Sequence, residues 1–216
     1  MIHSKNRIGI SLRVVTVNNY NEKRDTISQD WVVFLEKLGA LPVFIPNKLS
    51  DVRSFLTDMK VNGLILSGGD NIGDDPERDR TEEEIIDFGI DHKIPIFGVC
   101  RGMQVLNKYF GGSIITNNTL EHVGKPHLIQ LTNPKLSNIL NFTSLNVNSF
   151  HHNIINQRVL GKNLETFAQA KDKTIEGFFH KTFPIMGVMW HPERDTNVET
   201  ESILVKICQN KTLWNK

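Results

Sequence analysis

A chain of 216 residues with a formal net charge of +1 is long enough to bury one large α/β core, and we expect residues 1–216 to form one domain. The balanced charge excludes the basic surface of a nucleic-acid-binding protein, and the sequence contains no apolar run long enough to span a membrane. The N-terminus lacks the long apolar segment of a signal peptide, so we expect a cytoplasmic protein with neither a nucleic-acid nor a membrane partner.

The first half of the chain alternates short apolar runs with segments of helical spacing. The apolar runs predict strands at residues 7–12, 41–45, 63–66 and 95–99. Between and after them the spacing predicts helices at residues 27–38, 50–59 with Ser50 as the N-cap, 81–92 and 103–109. This alternation predicts a doubly wound α/β fold with a mostly parallel central sheet.

The second half consists of short apolar runs with short connections between them. They predict strands at residues 127–131, 144–147, 165–170, 174–179 and 185–190, and a closing helix at residues 198–208. Within that helix Cys208 lies among apolar residues, which indicates a packing role. The two cysteines, Cys100 and Cys208, have neither a zinc-like nor a disulfide-like spacing.

The segment Gly98-Val99-Cys100-Arg101-Gly102 joins a predicted strand directly to a predicted helix, which is the cysteine form of a nucleophile elbow. Glycines at both flanks avoid side-chain collisions in so tight a turn, and the helix N-terminus favours a thiolate at Cys100. The turn also leaves the Arg101 N–H free to face a developing oxyanion. The alternative interpretation is a buried structural cysteine between glycines.

His191-Pro192-Glu193 follows the last predicted strand. A cysteine nucleophile needs a proton shuttle, and the shuttle usually needs an orienting carboxylate. In open α/β sheets ligands bind at the carboxyl ends of the strands. We therefore expect His191 and Glu193 to meet Cys100 there, although 91 positions (191 − 100) separate His191 from Cys100.

Three motifs together carry a resemblance to a known family: GVCRGMQ at residues 98–104, SFHH at residues 149–152 and WHPE at residues 190–193. They closely resemble class I glutamine amidotransferases, and within these the γ-glutamyl hydrolase (peptidase C26-like) branch. The resemblance implies a flavodoxin-like three-layer sandwich and a catalytic triad of Cys100, His191 and Glu193. It also implies hydrolysis of a γ-glutamyl amide through a thioester, without a cofactor.

The same resemblance assigns an oxyanion hole and a glutamyl-binding site. A glycine N–H at Gly68 or Gly69 would act with the Arg101 N–H, and Gln104 would hold the glutamyl group. The glutamyl α-amino and α-carboxylate groups would be bound by the segment Asn148, Ser149, Phe150 and His151. The alternatives are a plain strand-ending turn at the two glycines and a solvent-facing Gln104.

Other side chains near these motifs are candidates with open roles. Arg13, Arg24 and Trp31 are expected around the same sheet edge, where they would select the group attached to the glutamyl nitrogen; a solvated position is an equal alternative for Arg24. Glu176 is expected either near the site or at a plain strand edge. A metal site built on the paired histidines, with His122 and His127, lacks a nearby third ligand, so no metal is expected.

The short, highly charged segment at residues 70–91 and the pattern Arg24-Asp25…Asp30-Trp31 look like small hydrolases of surface-polysaccharide gene clusters. One such enzyme releases cytidine diphosphoramidate from γ-glutamyl-CDP-amidate. A small γ-glutamyl conjugate is therefore the expected substrate. The alternatives are a glutaminase subunit that delivers ammonia to a separate synthetase and a non-enzymatic scaffold; a homodimer is left open.

Overall fold

The structure is a computed structural model that describes residues 6–116, 124–194 and 205–214. Its strands are β1 Asn6–Ser11, β2 Arg13–Val17, β3 Glu22–Thr26, β4 Ala40–Ile45, β5 Gly63–Leu66, β6 Ile96–Val99, β7 Ile115–Thr116, β8 His127–Leu131, β9 Ser144–Val147, β10 Asn153–Ile154, β11 Leu164–Ala170, β12 Ile175–His180 and β13 Ile185–Val188. Its helices are α1 Gln29–Lys37, α2 Val52–Asp58, α3 Pro76–Asp91, α4 Arg101–Tyr109 and α5 Pro134–Leu140. Short 3-10 turns occupy Asn18–Tyr20 and Pro192–Arg194.

The central sheet has nine strands in the order β4-β1-β5-β6-β13-β12-β11-β8-β9. The five strands from β4 to β13 pair in parallel, whereas each later pair is antiparallel. Because β11 and β9 again point the same way as β13, seven of the nine strands (5 + 2) share one direction. The predicted α/β fold with a mostly parallel sheet is confirmed.

Helices cover both faces of the sheet, and an apolar core lies between each face and its helices. One core contains the buried side of α1 and, from the other end of the chain, Val205, Ile207 and Cys208. The second core lies under α2, α3 and α4 and includes Leu64, Leu66, Ile85 and Met103. β5 therefore contributes to both cores, as expected of a fully apolar strand buried on both faces. That the whole of residues 1–216 forms one domain stays a prediction.

The carboxyl ends of β1, β5, β6 and β13 lie side by side, because these strands are neighbours and parallel. Three of these ends run directly into the predicted functional segments. β5 leads to Ser67-Gly68-Gly69, β6 leads to Cys100, and β13 leads to His191. The sheet order thus brings distant parts of the sequence to one edge, which is where ligands bind in this class of fold.

Some predicted helix boundaries were wrong. α2 is capped by Asp51 and not by Ser50, because the Asp51 carboxylate accepts the Ser54 N–H at 2.8 Å. α3 begins at Pro76, before the predicted start at residue 81, with proline in the first turn. α4 begins at Arg101 and not at Met103, directly after the cysteine. Of the predicted closing helix, residues 205–208 are helical and residues 198–204 lie outside the described residues.

The sequence analysis missed the hairpin formed by β2 and β3 and also missed α5. The hairpin pairs Arg13 with Thr26 at its base, and most of its residues face solvent. Its first strand contains three valines that the sequence analysis did not recognise as a separate strand, and its second strand, EKRDT, has no apolar residue to mark it. α5 is capped by the side chain of Asn133, which accepts the Leu136 N–H at 3.1 Å. Among the described helices, none is long and apolar enough to span a lipid bilayer.

Candidate active site

Cys100 lies in the turn between β6 and α4, with a backbone φ of +51° that non-glycine residues rarely adopt. Its N–H donates to the Val188 carbonyl at 2.8 Å, which ties the turn to β13. The two glycines that flank Cys100 have no room for a side chain. A Cβ on Gly102 would lie 2.1 Å from the Leu66 carbonyl oxygen, and one on Gly98 would lie 2.8 Å from the Gly102 carbonyl. This is the geometry expected of a nucleophile elbow.

His191 is held from several sides just beyond the end of β13. Its Nδ1 lies 2.8 Å from Glu193 Oε1, and both side chains are buried. Asn148 binds the backbone of the same histidine twice, because its Nδ2 donates to the His191 carbonyl at 2.8 Å and its Oδ1 accepts the His191 N–H at 2.9 Å. The imidazole therefore has a defined orientation, with Nδ1 turned toward the carboxylate.

The environment of His191 stabilises its protonated form. Burial alone would lower the pKa of His191, but the hydrogen bonds to Cys100 and Glu193 and the negative charge on both partners outweigh it and raise the pKa to about 9. Below that pH the ring is an imidazolium hydrogen-bonded to both residues. The structure thus brings together Cys100, His191 and Glu193, which the sequence analysis placed in one site.

The loop Ser67-Gly68-Gly69 passes directly over these residues. A Cβ on Gly68 would lie 2.7 Å from His191 Cε1 and 3.6 Å from Cys100 Cβ, so the loop can come this close only because residue 68 has no side chain. Gly69 has a φ of +134°, which also favours glycine. Gly68 is therefore beside the cysteine, and Gly69 follows it next to Arg78 and Arg13. The oxyanion-hole role of the two glycines remains a prediction.

Arg101 contributes more than the backbone N–H that was predicted. As the first residue of α4 its N–H has no acceptor within the helix. Its side chain is buried and pairs with Glu82 and Asp79 of α3. The sequence analysis did not anticipate these two partners or the nearby Arg78, because charged residues ordinarily indicate a solvated helix face.

Gln104 is buried one helical turn after Cys100, so it does not face solvent. Its Oε1 accepts a hydrogen bond from Asn153 at 3.4 Å, and the same Asn153 amide also donates to Asn71 at 3.2 Å. His151 joins this group because its Nδ1 lies 3.0 Å from the Asn153 carbonyl. Asn71 and Asn153 belong to no motif that the sequence analysis recognised, and only the fold brings them to Gln104.

The segment at residues 148–151 borders the histidine. Besides the Asn148 clamp, Ser149 is buried, and the half-exposed Phe150 ring lies edge-on to the His191 ring at 5.8 Å. The guanidinium carbon of Arg194 lies 5.1 Å from the centroid of the Phe150 ring. Phe150 and Arg194 thus form one wall beside His191, and the sequence analysis had not singled out Arg194.

A cleft beside His191 is lined by residues from several loops: Arg13, Thr26, Ile27, Ser28, Trp31, Ser67, Gly68, Gly69, His191, Glu193 and Arg194. Arg13 is half-exposed and pairs with Asp70 at 2.9 Å. Arg24, in contrast, pairs with the exposed Glu22 on the hairpin and does not line this cleft. Of the three candidates for binding the departing group, the structure brings Arg13 and Trp31 to the histidine and leaves Arg24 outside.

Glu176 is fully buried on β12, so it is not a strand-edge carboxylate exposed to solvent. Its carboxylate lies 3.5 Å from His127 Nε2 and 3.8 Å from His151 Nε2. Within residues 6–116, 124–194 and 205–214, no group of three His, Cys, Asp or Glu side chains is arranged to hold a metal ion. His122, the remaining histidine of the metal alternative, lies outside the described residues.

Comparisons with family models, curated proteins and solved structures all find glutamine amidotransferase-like proteins. The peptidase C26 family model matches residues 8–193. A protein of Campylobacter jejuni named gamma-glutamyl-CDP-amidate hydrolase is 33% identical over 204 residues, covering 91% of this chain and 94% of that protein. A glutamine-hydrolyzing GMP synthase of Francisella tularensis is 29% identical over 188 residues, which are 84% of this chain and 34% of the synthase. A solved glutamine amidotransferase from Thermotoga maritima has a TM-score of 0.64 at 18% identity, covering 99% of this chain and 87% of that one.

The fold and these relatives define a hydrolase of the class I glutamine amidotransferase type that acts on C–N amide bonds. Within that class, the chain belongs to the peptidase C26 family. The resemblance stated from the three sequence motifs is confirmed, and so is the flavodoxin-like α/β fold that it implied.

Proposed function

We propose that this chain hydrolyses the amide bond of a small γ-glutamyl conjugate through a thioester on Cys100. The observation that carries the proposal is the convergence of Cys100, His191 and Gly68 at one sheet edge, with His191 Nδ1 2.8 Å from Glu193. A nucleophile, a proton shuttle, an orienting carboxylate and loop N–H groups are the parts that acyl transfer requires.

In the first half of the reaction, the Cys100 thiolate attacks the γ-carbonyl carbon and the carbonyl π electrons move to oxygen. The N–H groups of Arg101 and of Gly68 or Gly69 stabilise that oxyanion. Collapse of the tetrahedral intermediate re-forms the carbonyl and breaks the C–N bond, while protonated His191 gives its proton to the departing nitrogen. A pKa of about 9 for His191 keeps this proton available at neutral pH.

In the second half, His191 is neutral and removes a proton from an incoming water molecule. The resulting hydroxide attacks the thioester carbonyl, and the C–S bond breaks to release glutamate. The thiolate of Cys100 and the imidazolium of His191 are thereby restored. Glu193 holds the ring orientation and stabilises its positive charge in both halves.

For the departing group we propose a phosphoryl-bearing amidate of the γ-glutamyl-CDP-amidate kind, hydrolysed in the cytoplasm during synthesis of a surface polysaccharide. Support comes from the name of the relative in Campylobacter jejuni and from the two arginines, Arg13 and Arg194, that line the cleft beside His191. Guanidinium groups bind phosphate well, and the nearly fully buried Trp31 lines the same cleft.

Glutamate release from a substrate panel tests the proposal: γ-glutamyl-CDP-amidate, γ-glutamyl-γ-aminobutyrate and glutamine, each with purified protein. We expect release from the CDP-amidate to be fastest and to disappear in Cys100→Ala. Cys208→Ala is the matched control and should keep the activity, because Cys208 is buried against the Ile96 carbonyl, where burial raises the pKa of its thiol. Turnover by Cys100→Ala equal to that of the unaltered protein would refute the mechanism.

A glutaminase subunit that serves a separate synthetase is the second candidate function. It is favoured by the likeness to a GMP synthase, of which this chain spans only about a third. That function predicts that glutamine is the preferred member of the panel and that its turnover by the purified chain is slow. Fast hydrolysis of a γ-glutamyl conjugate by the chain alone would exclude it.

A further inference from the structure

Arg78 is 1% exposed, although it lies in the first turn of α3, where arginine is ordinarily solvated. Its Nε donates to Glu82 Oε1 at 3.0 Å. Its Nη2 reaches the loop above Cys100, donating to the carbonyls of Ser67 and Gly68, each at 3.0 Å. Burial lowers the pKa of Arg78, but arginine remains a cation in proteins, so this is a buried positive charge beneath the loop.

These contacts determine the direction of the loop N–H groups. In a planar trans peptide the C=O and N–H bonds point in opposite directions, and both loop peptides are trans. With the carbonyls of Ser67 and Gly68 turned toward Arg78, the N–H groups of Gly68 and Gly69 point away from it. Gly68 itself lies against His191 and Cys100. The N–H sides of these two peptides therefore face away from Arg78, and Gly68, which joins the peptides, borders Cys100 and His191.

Glu82 connects this loop to the other predicted oxyanion donor. One carboxylate oxygen of Glu82 accepts from Arg78 and, at 2.8 Å, from Ser11, while the other accepts from Arg101. Arg101 is the residue whose backbone N–H follows Cys100. A single buried carboxylate therefore joins the supports of both donors, and the spacing between the donors depends on it.

Ser11 strengthens the same connection from β1. Its hydroxyl accepts the Ser67 N–H at 3.0 Å, and the Ser67 hydroxyl donates to the Ser11 carbonyl at 2.8 Å. Ser67 is therefore fixed by both its backbone and its side chain, and rotation of the following peptide is opposed from below by Arg78. The third nitrogen of the Arg78 guanidinium, Nη1, lies beside Gly69, where an added Cβ would be 2.8 Å away.

We propose that Arg78, held by Glu82, is a positioning residue that aims the Gly68 and Gly69 N–H groups at the oxyanion formed on Cys100. The inference rests on the proposed function and deepens it. Arg78 acts through the loop and does not contact the substrate. Its charge also polarises the two peptides whose carbonyls it binds, which makes their N–H groups better donors to a developing negative charge.

The test compares Arg78→Gln and Arg78→Lys with Arg80→Gln, a matched control on the same helix. Arg80 is exposed and pairs with Glu84 four residues later, as Arg78 pairs with Glu82. We expect Arg78→Gln to lower kcat by about 100-fold to 1000-fold, the usual loss for one oxyanion donor, with KM changed little. The kcat of Arg78→Lys should lie between those of Arg78→Gln and the unaltered protein, because lysine keeps the charge but cannot bind Glu82 and the loop together.

Alkylation of Cys100 by iodoacetamide separates loop positioning from general damage, because that displacement forms no oxyanion. We expect the alkylation rate to be unchanged in Arg78→Lys and Arg78→Gln. An unaltered kcat in these variants, or a parallel loss of kcat and alkylation, would overturn the inference. If Arg78→Gln does not fold, Arg78→Lys is judged by the same two rates.

Amide hydrogen exchange at Gly68 and Gly69 tests the inference without relying on turnover. We expect a changed exchange rate in the Arg78 variants and the rate of the unaltered protein in Arg80→Gln, since Arg78 binds the loop carbonyls whereas Arg80 binds the Leu49 carbonyl. If the protein released no glutamate from any substrate, the proposed function would be contradicted. The exchange rates at Gly68 and Gly69 would still test whether Arg78 positions the loop. Exchange unchanged from the unaltered protein would contradict the positioning role itself.

Discussion

His191 shows how two neighbours can overcome the effect of burial on one residue. Burial favours neutral imidazole, whereas Cys100 and Glu193 favour imidazolium strongly enough to raise the pKa from 6.5 to about 9. A raised pKa means that the charged form is present at neutral pH and is lost as the pH rises through about 9. Because the first half-reaction uses the imidazolium proton, its rate should fall over that same range.

Glu193→Gln should move that alkaline fall to lower pH, because it removes a negative charge that raises the pKa of His191. The variant should also lower kcat/KM, by up to about 10⁴-fold as for the carboxylate of a serine-protease triad. The measurement is the pH dependence of kcat/KM, with the exposed Glu36→Gln on α1 as a control that should match the unaltered protein. An alkaline limb at the same pH in Glu193→Gln would show that Glu193 does not act on His191.

At the scale of elements, the elbow depends on close contact between α4 and β5. The start of α4 rests on the end of β5 so closely that a Cβ at Gly102 would lie 2.1 Å from the Leu66 carbonyl oxygen. The Leu66 carbonyl is part of the backbone, so it cannot move away from an added Cβ as the end of a flexible side chain can. The position of Cys100 is thus set by helix packing as well as by its own strained turn.

Gly102→Ala should therefore lower the free energy of unfolding by about 3 kcal/mol, the upper part of the usual range for overpacking. Chemical denaturation of the variant and the unaltered protein gives this difference. Gly63→Ala is the matched control at the other end of β5, where the added Cβ would meet only side chains at 3.5 and 3.7 Å. Equal stability of the two variants would mean that α4 and β5 can separate without cost.

Strands that are buried along their whole length could be predicted from the sequence, whereas several exposed elements were missed. β5 and β13 are buried throughout and were found. The β2–β3 hairpin is largely exposed, and its pairing leaves no periodic signal. The first turn of α3 was missed because most of its residues are charged, and Arg78 is buried there because the fold pairs it with Glu82.

At the scale of the whole molecule, the candidate site is assembled from four neighbouring strand ends and from loops far apart in the sequence. Cys100 and His191 could be predicted because each belongs to a compact motif after an apolar strand. Asn153 and Asn71 could not, since single asparagines with no motif acquire a role only when the fold brings them to Gln104. The same reason hid Arg194, which lies over Phe150 only in the folded chain.

The central claim is that Cys100 carries a γ-glutamyl thioester during turnover. The direct measurement is mass spectrometry of peptides from protein quenched with acid while it hydrolyses a γ-glutamyl substrate at steady state. We expect a glutamyl adduct on the peptide that contains Cys100, none on the peptide that contains Cys208, and none in Cys100→Ala. Turnover without any adduct at Cys100, or with an adduct at another residue, would contradict the account.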